Sequence, residues 1–110
     1  MEIIPNGRVW FETMNGAFLG YGRIELLENI QEFGSVRQAA TEMKMSYRQA
    51  WELIEQINQN AGIPIVILIR GGKGGGSATV TPEGIAAVKK FHDFNKAFQN
   101  FLIKYKNQNS

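Results

Sequence analysis

Cysteine is absent from the 110 residues, and histidine occurs once, at His92. No disulfide framework can form, and one imidazole without a thiolate cannot build an ordinary zinc site. The same shortage removes the nucleophile and base pairs on which most hydrolases and transferases depend. Glu52 and Glu55 are acids on a solvent-facing helix flank rather than a catalytic pair, so an enzyme is not expected. Long apolar runs are lacking too. The longest, over 63–69, falls far short of the roughly 20 residues that cross a bilayer. Residues 1–5 lack the charged start and long apolar stretch of a secretory leader. The expectation is a cytoplasmic protein with no membrane segment, no metal and no cofactor, long enough for one core and too short for two.

The formal net charge is only +2 although the sequence pI is near 9.0, so the global balance argues weakly for a nucleic-acid partner. Its distribution says more. Residues 1–34 carry two basic against five acidic side chains, residues 35–81 carry five against three, and residues 82–110 carry five lysines against Glu83 and Asp93. The first third is expected to face away from a polyanion. Lys89, Lys90, Lys96, Lys104 and Lys106 read as a solvated helix face rather than as contacts.

What the chain does have is concentrated between Phe33 and Thr81. Ser35 stands where its hydroxyl can cap a helix from Val36, with Gln38 three residues on to reach back, and Ser46 with Gln49 repeats the device. Only residues 42–45 separate the two, so short helices over 35–43 and 46–60 must meet at a steep angle. Ala39, Ala40 and Met43 give the first an apolar face, and Ala50, Ile54 and Ile57 give the second a stripe at helical spacing. Left outward at the start of the second helix are Ser46, Tyr47, Arg48, Gln49 and Glu52. Hydrogen-bonding groups around one fixed cation suit the reading of base edges in a groove. Trp51, beside Ala50 and close to Tyr47, is expected to lean into the core, and Tyr47 outward.

A wing follows over 64–81. Residues 65–70 form an apolar, β-branched run, five glycines break it within 71–76, and an extended pattern resumes over 78–81 before Pro82. Gly72 and Gly74 flank Lys73, so its charge and the tip's N–H groups can come close to a phosphate with no side chain in the way. The glycines do not make a nucleotide-binding loop. Lys73 is followed by Gly74 rather than Ser or Thr, a strand rather than a helix comes next, and no three glycines stand at the dinucleotide-binding spacing. Helix, turn, helix and wing together point to duplex DNA. Ser35, Arg37 and Gln38, with Arg70 and Lys73, are candidate phosphate contacts. Arg48 can bond a guanine edge in bidentate fashion, and Gln49 an adenine edge unless its capping role holds it back.

Gly34-Ser35, the run Ser46-Tyr47-Arg48-Gln49-Ala50-Trp51 and the tip over 71–76 resemble the DNA-binding half of ModE-type molybdate-responsive regulators, whose winged helices are similar to those of the LysR family. Residues 18–27 resemble that family's approach to its first helix, so the likeness runs from about Arg8 into the final helix. It implies a dimeric repressor or activator whose helix from Ser46 enters the major groove while the wing meets the flanking backbone. Members that sense molybdate carry it in a separate C-terminal domain. This sequence stops at Ser110 after the final helix, so molybdate responsiveness is not implied.

The two ends complete the expected domain. Residues 8–12 have strand composition, Asn15-Gly16 is a turn signal, and residues 17–19 can return. Trp10 is expected to pack there. A helix over 23–33 has Ile24, Leu27 and Ile30 on one side. Thr81 as cap, Pro82 at the first helical position and Glu83 in the first turn open a helix over 82–107. Along it Ala87, Phe91, Phe94, Phe98, Phe101 and Tyr105 recur at alternating four and three residues, the spacing of a coiled-coil seam. At the usual rise it runs roughly 40 Å, more than so small a domain can cover. A homodimer with Phe91, Phe94, Phe98, Phe101 and Tyr105 in its seam is expected, although Ile85, Val88 and Leu102 on a neighbouring stripe could fold against the chain's own core. His92 reads as a solvated helix residue.

The expected fold class is α+β, mostly α: a single winged helix-turn-helix domain over 1–110 with an N-terminal β-hairpin, a glycine-rich wing and a long C-terminal dimerisation helix. Two symmetric copies would present two recognition helices to an inverted repeat in double-stranded DNA. The rival is a winged-helix adaptor that grips a partner protein through the phenylalanine seam. Near-neutral charge favours the rival. The cationic, amide-bearing start of the Ser46 helix and Lys73 among glycines disfavour it, since a protein interface there would want aromatic anchors.

Overall fold

The computed structural model of the chain describes residues 1–69 and 76–109. An N-terminal hairpin, β1 (Phe11–Thr13) and β2 (Gly16–Leu19), leads into α1 (Tyr21–Phe33), α2 (Val36–Glu42) and α3 (Tyr47–Ala61). A second antiparallel hairpin, β3 (Val66–Ile69) and β4 (Ser77–Val80), precedes the long α4 (Pro82–Asn109). This is a mostly α winged helix with an extra hairpin at its start. Helix α1 begins two residues earlier than the sequence suggests, directly after an extended Gly20.

Helix α1 is the hub. Leu26, Leu27 and Ile30 are fully buried against Ala39 and Ala40 of α2 and Ile54 and Ile57 of α3. Gly34 ends α1 in the left-handed region, φ 65°, where glycine carries no Cβ penalty, and its N–H closes on the Ile30 carbonyl at 2.8 Å. Its own carbonyl accepts from the Ala78 amide at 2.9 Å, which ties the wing to the end of α1. Val66, Ala78 and Val80 point inward and Ile67, Ile69 and Thr79 outward, the alternation of a half-buried ribbon.

Two polar side chains fix the base of the wing. The Asn58 carboxamide oxygen accepts from the Ile65 and Val66 amides at 2.8 and 3.1 Å, while its NH2 donates to the Val66 carbonyl at 3.1 Å. The Thr81 hydroxyl donates to the Pro64 carbonyl at 2.8 Å and accepts from the Gly84 amide at 3.2 Å, so one buried side chain both caps α4 and ties it to the segment that leads into β3. The first turn of α4 lies so close to the wing that a Cβ on Gly84 would stand 2.6 Å from Val80 Cγ1 and 2.9 Å from the Ile65 carbonyl oxygen.

The aromatic seam expected along α4 divides. Phe91 is 1% exposed and meets Phe11 and Tyr21 edge-on, each with ring centroids 5.5 Å away, so it belongs to the core of its own chain and not to a dimer contact. Phe98 is half-buried, with its ring against Gly7. Phe94, Phe101 and Tyr105 remain exposed. Trp10 also departs from expectation. It lies outside the strand, is 61% exposed and donates its indole N–H to Glu12 at 2.9 Å, while its neighbour Phe11 takes the inward place. The chain measures 59 × 29 × 20 Å because the distal part of α4 runs beyond the rest. Residues 1–10 lie along one side of that part, where Gln99 donates to the Gly7 carbonyl at 3.5 Å and Lys106 pairs with Glu2 at 3.4 Å. His92 faces Glu28 of α1 at 3.2 Å, half exposed.

Candidate nucleic-acid interface

The corner between α2 and α3 is built by capping. Ser35 Oγ accepts from the Gln38 amide at 3.2 Å. Ser46 Oγ accepts from the Gln49 amide at 3.0 Å while the Ser46 amide donates to Gln49 Oε1 at 2.9 Å, a reciprocal capping box that satisfies two groups an isolated helix end leaves open. The turn between the helices passes through Lys44 at φ 56°, a conformation that L-residues other than Asn and Asp seldom adopt. It is held by the Met43 and Met45 amides donating to the Ala39 and Ala40 carbonyls at 3.1 and 3.0 Å. With Ala50, Ile54 and Ile57 turned into the core, the first turn of α3 faces out.

That outward turn carries Ser46, Tyr47, Arg48 and Gln49, all exposed, and Arg37 and Gln38 stand exposed at the start of α2. Ser35 is half-buried. The structure joins three side chains across the corner. The Arg37 guanidinium carbon lies 4.8 Å from the centroid of the Tyr47 ring, and the Tyr47 hydroxyl oxygen accepts from Trp51 Nε1 at 2.8 Å. Arg48 is 89% exposed, with its Nε bound to Glu52 Oε1 at 3.2 Å along the same helix face. Gln49 spends its carboxamide oxygen on the cap, which leaves its NH2 as the free end. Arg70, Gly72, Lys73 and Gly74 lie outside the described residues.

Trp51 and Asn58 were not legible as parts of this arrangement. Trp51 is half-buried and works through its indole N–H rather than through the core. The spacing of four residues between Tyr47 and Trp51, one helical turn, was the available signal. Asn58 had none, since an Asn near a helix end is usually surface. Among the described residues no cluster of three or more His, Asp or Glu could hold a metal ion, and no helix is long and apolar enough to cross a membrane.

No protein-family model matches the chain. Among curated proteins it is 34% identical over 95 residues to the molybdenum transport protein ModE of Azotobacter vinelandii, covering 86% of this chain and 35% of that one. It is 41% identical over 69 residues to the molybdenum-pterin-binding protein MopB of Rhodobacter capsulatus, covering 63% and 26%. It is 42% identical over 62 residues to the DNA-binding transcriptional dual regulator ModE of Escherichia coli K12, covering 56% and 24%. The chain thus spans between about a quarter and about a third of the length of these relatives. Among solved structures, ArgP from Mycobacterium tuberculosis superposes with a TM-score of 0.53 at 17% identity, over 78% of this chain and 30% of that one, which supports the fold alone. The ModE relatives of Haemophilus influenzae and Escherichia coli are named as transcriptional regulators. On these grounds the chain is homologous to the ModE-type molybdenum regulators across one winged-helix domain, and their N-terminal DNA-binding part is the region it fits.

Proposed function

We propose that the chain is the DNA-binding domain of a cytoplasmic transcriptional regulator that acts as a homodimer on an inverted repeat. The observation that carries this reading is the first turn of α3: a capped helix end whose polar, cationic residues face outward beside a wing, in a homologue of ModE-type regulators. Helix α3 from Ser46 would lie in the major groove. Arg48 would read a guanine edge, Gln49 would offer only its NH2 to a base, and Tyr47 would stand at the groove margin. Ser35, Arg37 and Gln38, with Arg70 and Lys73 on the wing and the Gly72 and Gly74 amides, would meet phosphates.

Dimerisation is argued from α4. Phe94, Phe101 and Tyr105 are each at least half exposed, and a cleft of about 660 Å³ lies between the first hairpin and α4, lined by Trp10, Phe11, Phe18, Lys90 and Phe94. Aromatic surface of that extent on a projecting helix is what a second copy would cover, and it leaves both α3 helices free for two half-sites.

A pair of substitutions tests the DNA reading. Arg48→Ala is expected to flatten base preference at one position of each half-site, with about 1–3 kcal/mol lost on the preferred sequence only. Lys73→Ala is expected to weaken every sequence alike and to reduce the salt slope by about one unit. Equal losses on all sequences from Arg48→Ala, measured by titration of matched and scrambled duplexes, would contradict the base-reading role.

A further inference from the structure

We propose that Trp51 is a positioning residue which, acting through Tyr47, holds Arg37 ready for a backbone phosphate. The inference rests on the DNA-binding reading above and adds a device to it. Arg37 and Arg48 are the two exposed arginines of the corner, and they are held in different ways. Arg48 is tied to a carboxylate, Glu52, which offsets its charge. Arg37 makes no salt bridge among the described residues and rests instead on the face of a neutral ring, 4.8 Å from the Tyr47 centroid. A guanidinium stacked on an aromatic face keeps its full charge and its in-plane N–H donors, which is the state that suits a phosphate.

The ring itself needs an anchor. Tyr47 is 42% exposed, and the Trp51 indole N–H adds a directional restraint by donating to its hydroxyl oxygen at 2.8 Å. Trp51, half-buried one turn further along α3, is the larger and less exposed partner of that bond. Accepting from Trp51 also leaves the Tyr47 O–H as a donor directed away from the indole, where it can reach a second phosphate oxygen. Two donors from two helices are thereby set in place before DNA arrives, which reduces the ordering that binding requires.

The test is a double-mutant cycle on the full chain, with binding to random-sequence duplex DNA measured across a salt series. Trp51→Phe removes the N–H and keeps the aromatic bulk. It is expected to weaken binding by about threefold on every sequence and to lower the salt slope, with the thermal midpoint unchanged. In an Arg37→Ala background the same change is expected to keep only the smaller loss that comes from the Tyr47 hydroxyl's own contact, because the guanidinium it positions is gone. Tyr47→Phe, which keeps the stack and loses the hydroxyl, runs the same cycle should Trp51→Phe disturb folding. A loss that is equal with and without Arg37, or no loss at all, overturns the positioning role while leaving DNA binding intact. A wild-type chain that binds no duplex even at low salt overturns both.

Discussion

Helices α3 and α4 both carry an apolar stripe, yet they put it to different use. In α3 the stripe of Ala50, Ile54 and Ile57 lies wholly within the core that the domain's other elements complete, and all three are at most 1% exposed. In α4 the stripe is buried only as far as Phe91; beyond it Phe98 is half-buried, and Phe94, Phe101 and Tyr105 are exposed. A short amphipathic helix is held by its own domain. A helix of 28 residues runs past the domain, and what it carries there is available to something else. The boundary falls within one turn, between a phenylalanine enclosed by Phe11 and Tyr21 and another, Phe94, that touches Phe11 at 5.7 Å yet is 52% exposed.

The largest expected effect comes from crossing that boundary. Phe91→Ala should destabilise the fold by about 3–5 kcal/mol, whereas Phe101→Ala should change denaturant stability by no more than about 0.5 kcal/mol at concentrations where the chain is monomeric. Its effect should appear instead in sedimentation as a weaker self-association. Equal destabilisation by both would erase the distinction between the two parts of α4. Next is Gly84→Ala, which drives a methyl into Val80 and the Ile65 carbonyl and should destabilise by about 1–3 kcal/mol. Gly22→Ala in α1, with nothing within 4 Å of the added carbon, should instead stabilise by roughly 0.5–1 kcal/mol. Ser46→Ala, which removes the hydroxyl half of the capping box and leaves the Gln49 backbone amide without its acceptor, should destabilise by about 1 kcal/mol. The smallest effect is that of Glu52→Gln. Its pair with Arg48 is solvent-exposed, so thermal melting should move by no more than a few tenths of a kcal/mol. DNA affinity should rise as Arg48 is released.

Much of this architecture could be read from residues whose role is decided locally. Ser35, Ser46 and Thr81 announce helix starts because a hydroxyl has few better uses there. Decisions that depend on distant parts of the chain were hidden. Trp10 and Phe11 are adjacent aromatics, and which one turns inward is set by the pairing of Phe11 with Leu19 and the bulge that follows it, features that composition does not encode. The spacing of the α4 aromatics cannot separate a residue covered by its own hairpin from one left exposed. Phe91 is the case in point. At the interface, sequence singled out Tyr47 and Arg37 separately; their stacking, and the indole that fixes it, arise only when the α2–α3 corner is formed.

The central claim is that two copies of this domain read DNA through α3. In vitro selection from random duplex DNA with the purified chain at near-physiological salt tests it most directly. The account predicts enrichment of an inverted repeat whose half-sites are spaced by whole helical turns, with a guanine that loses its preference in Arg48→Ala. No enriched sequence, with retention that disappears as salt rises, would contradict it and favour a winged helix that binds a partner protein instead.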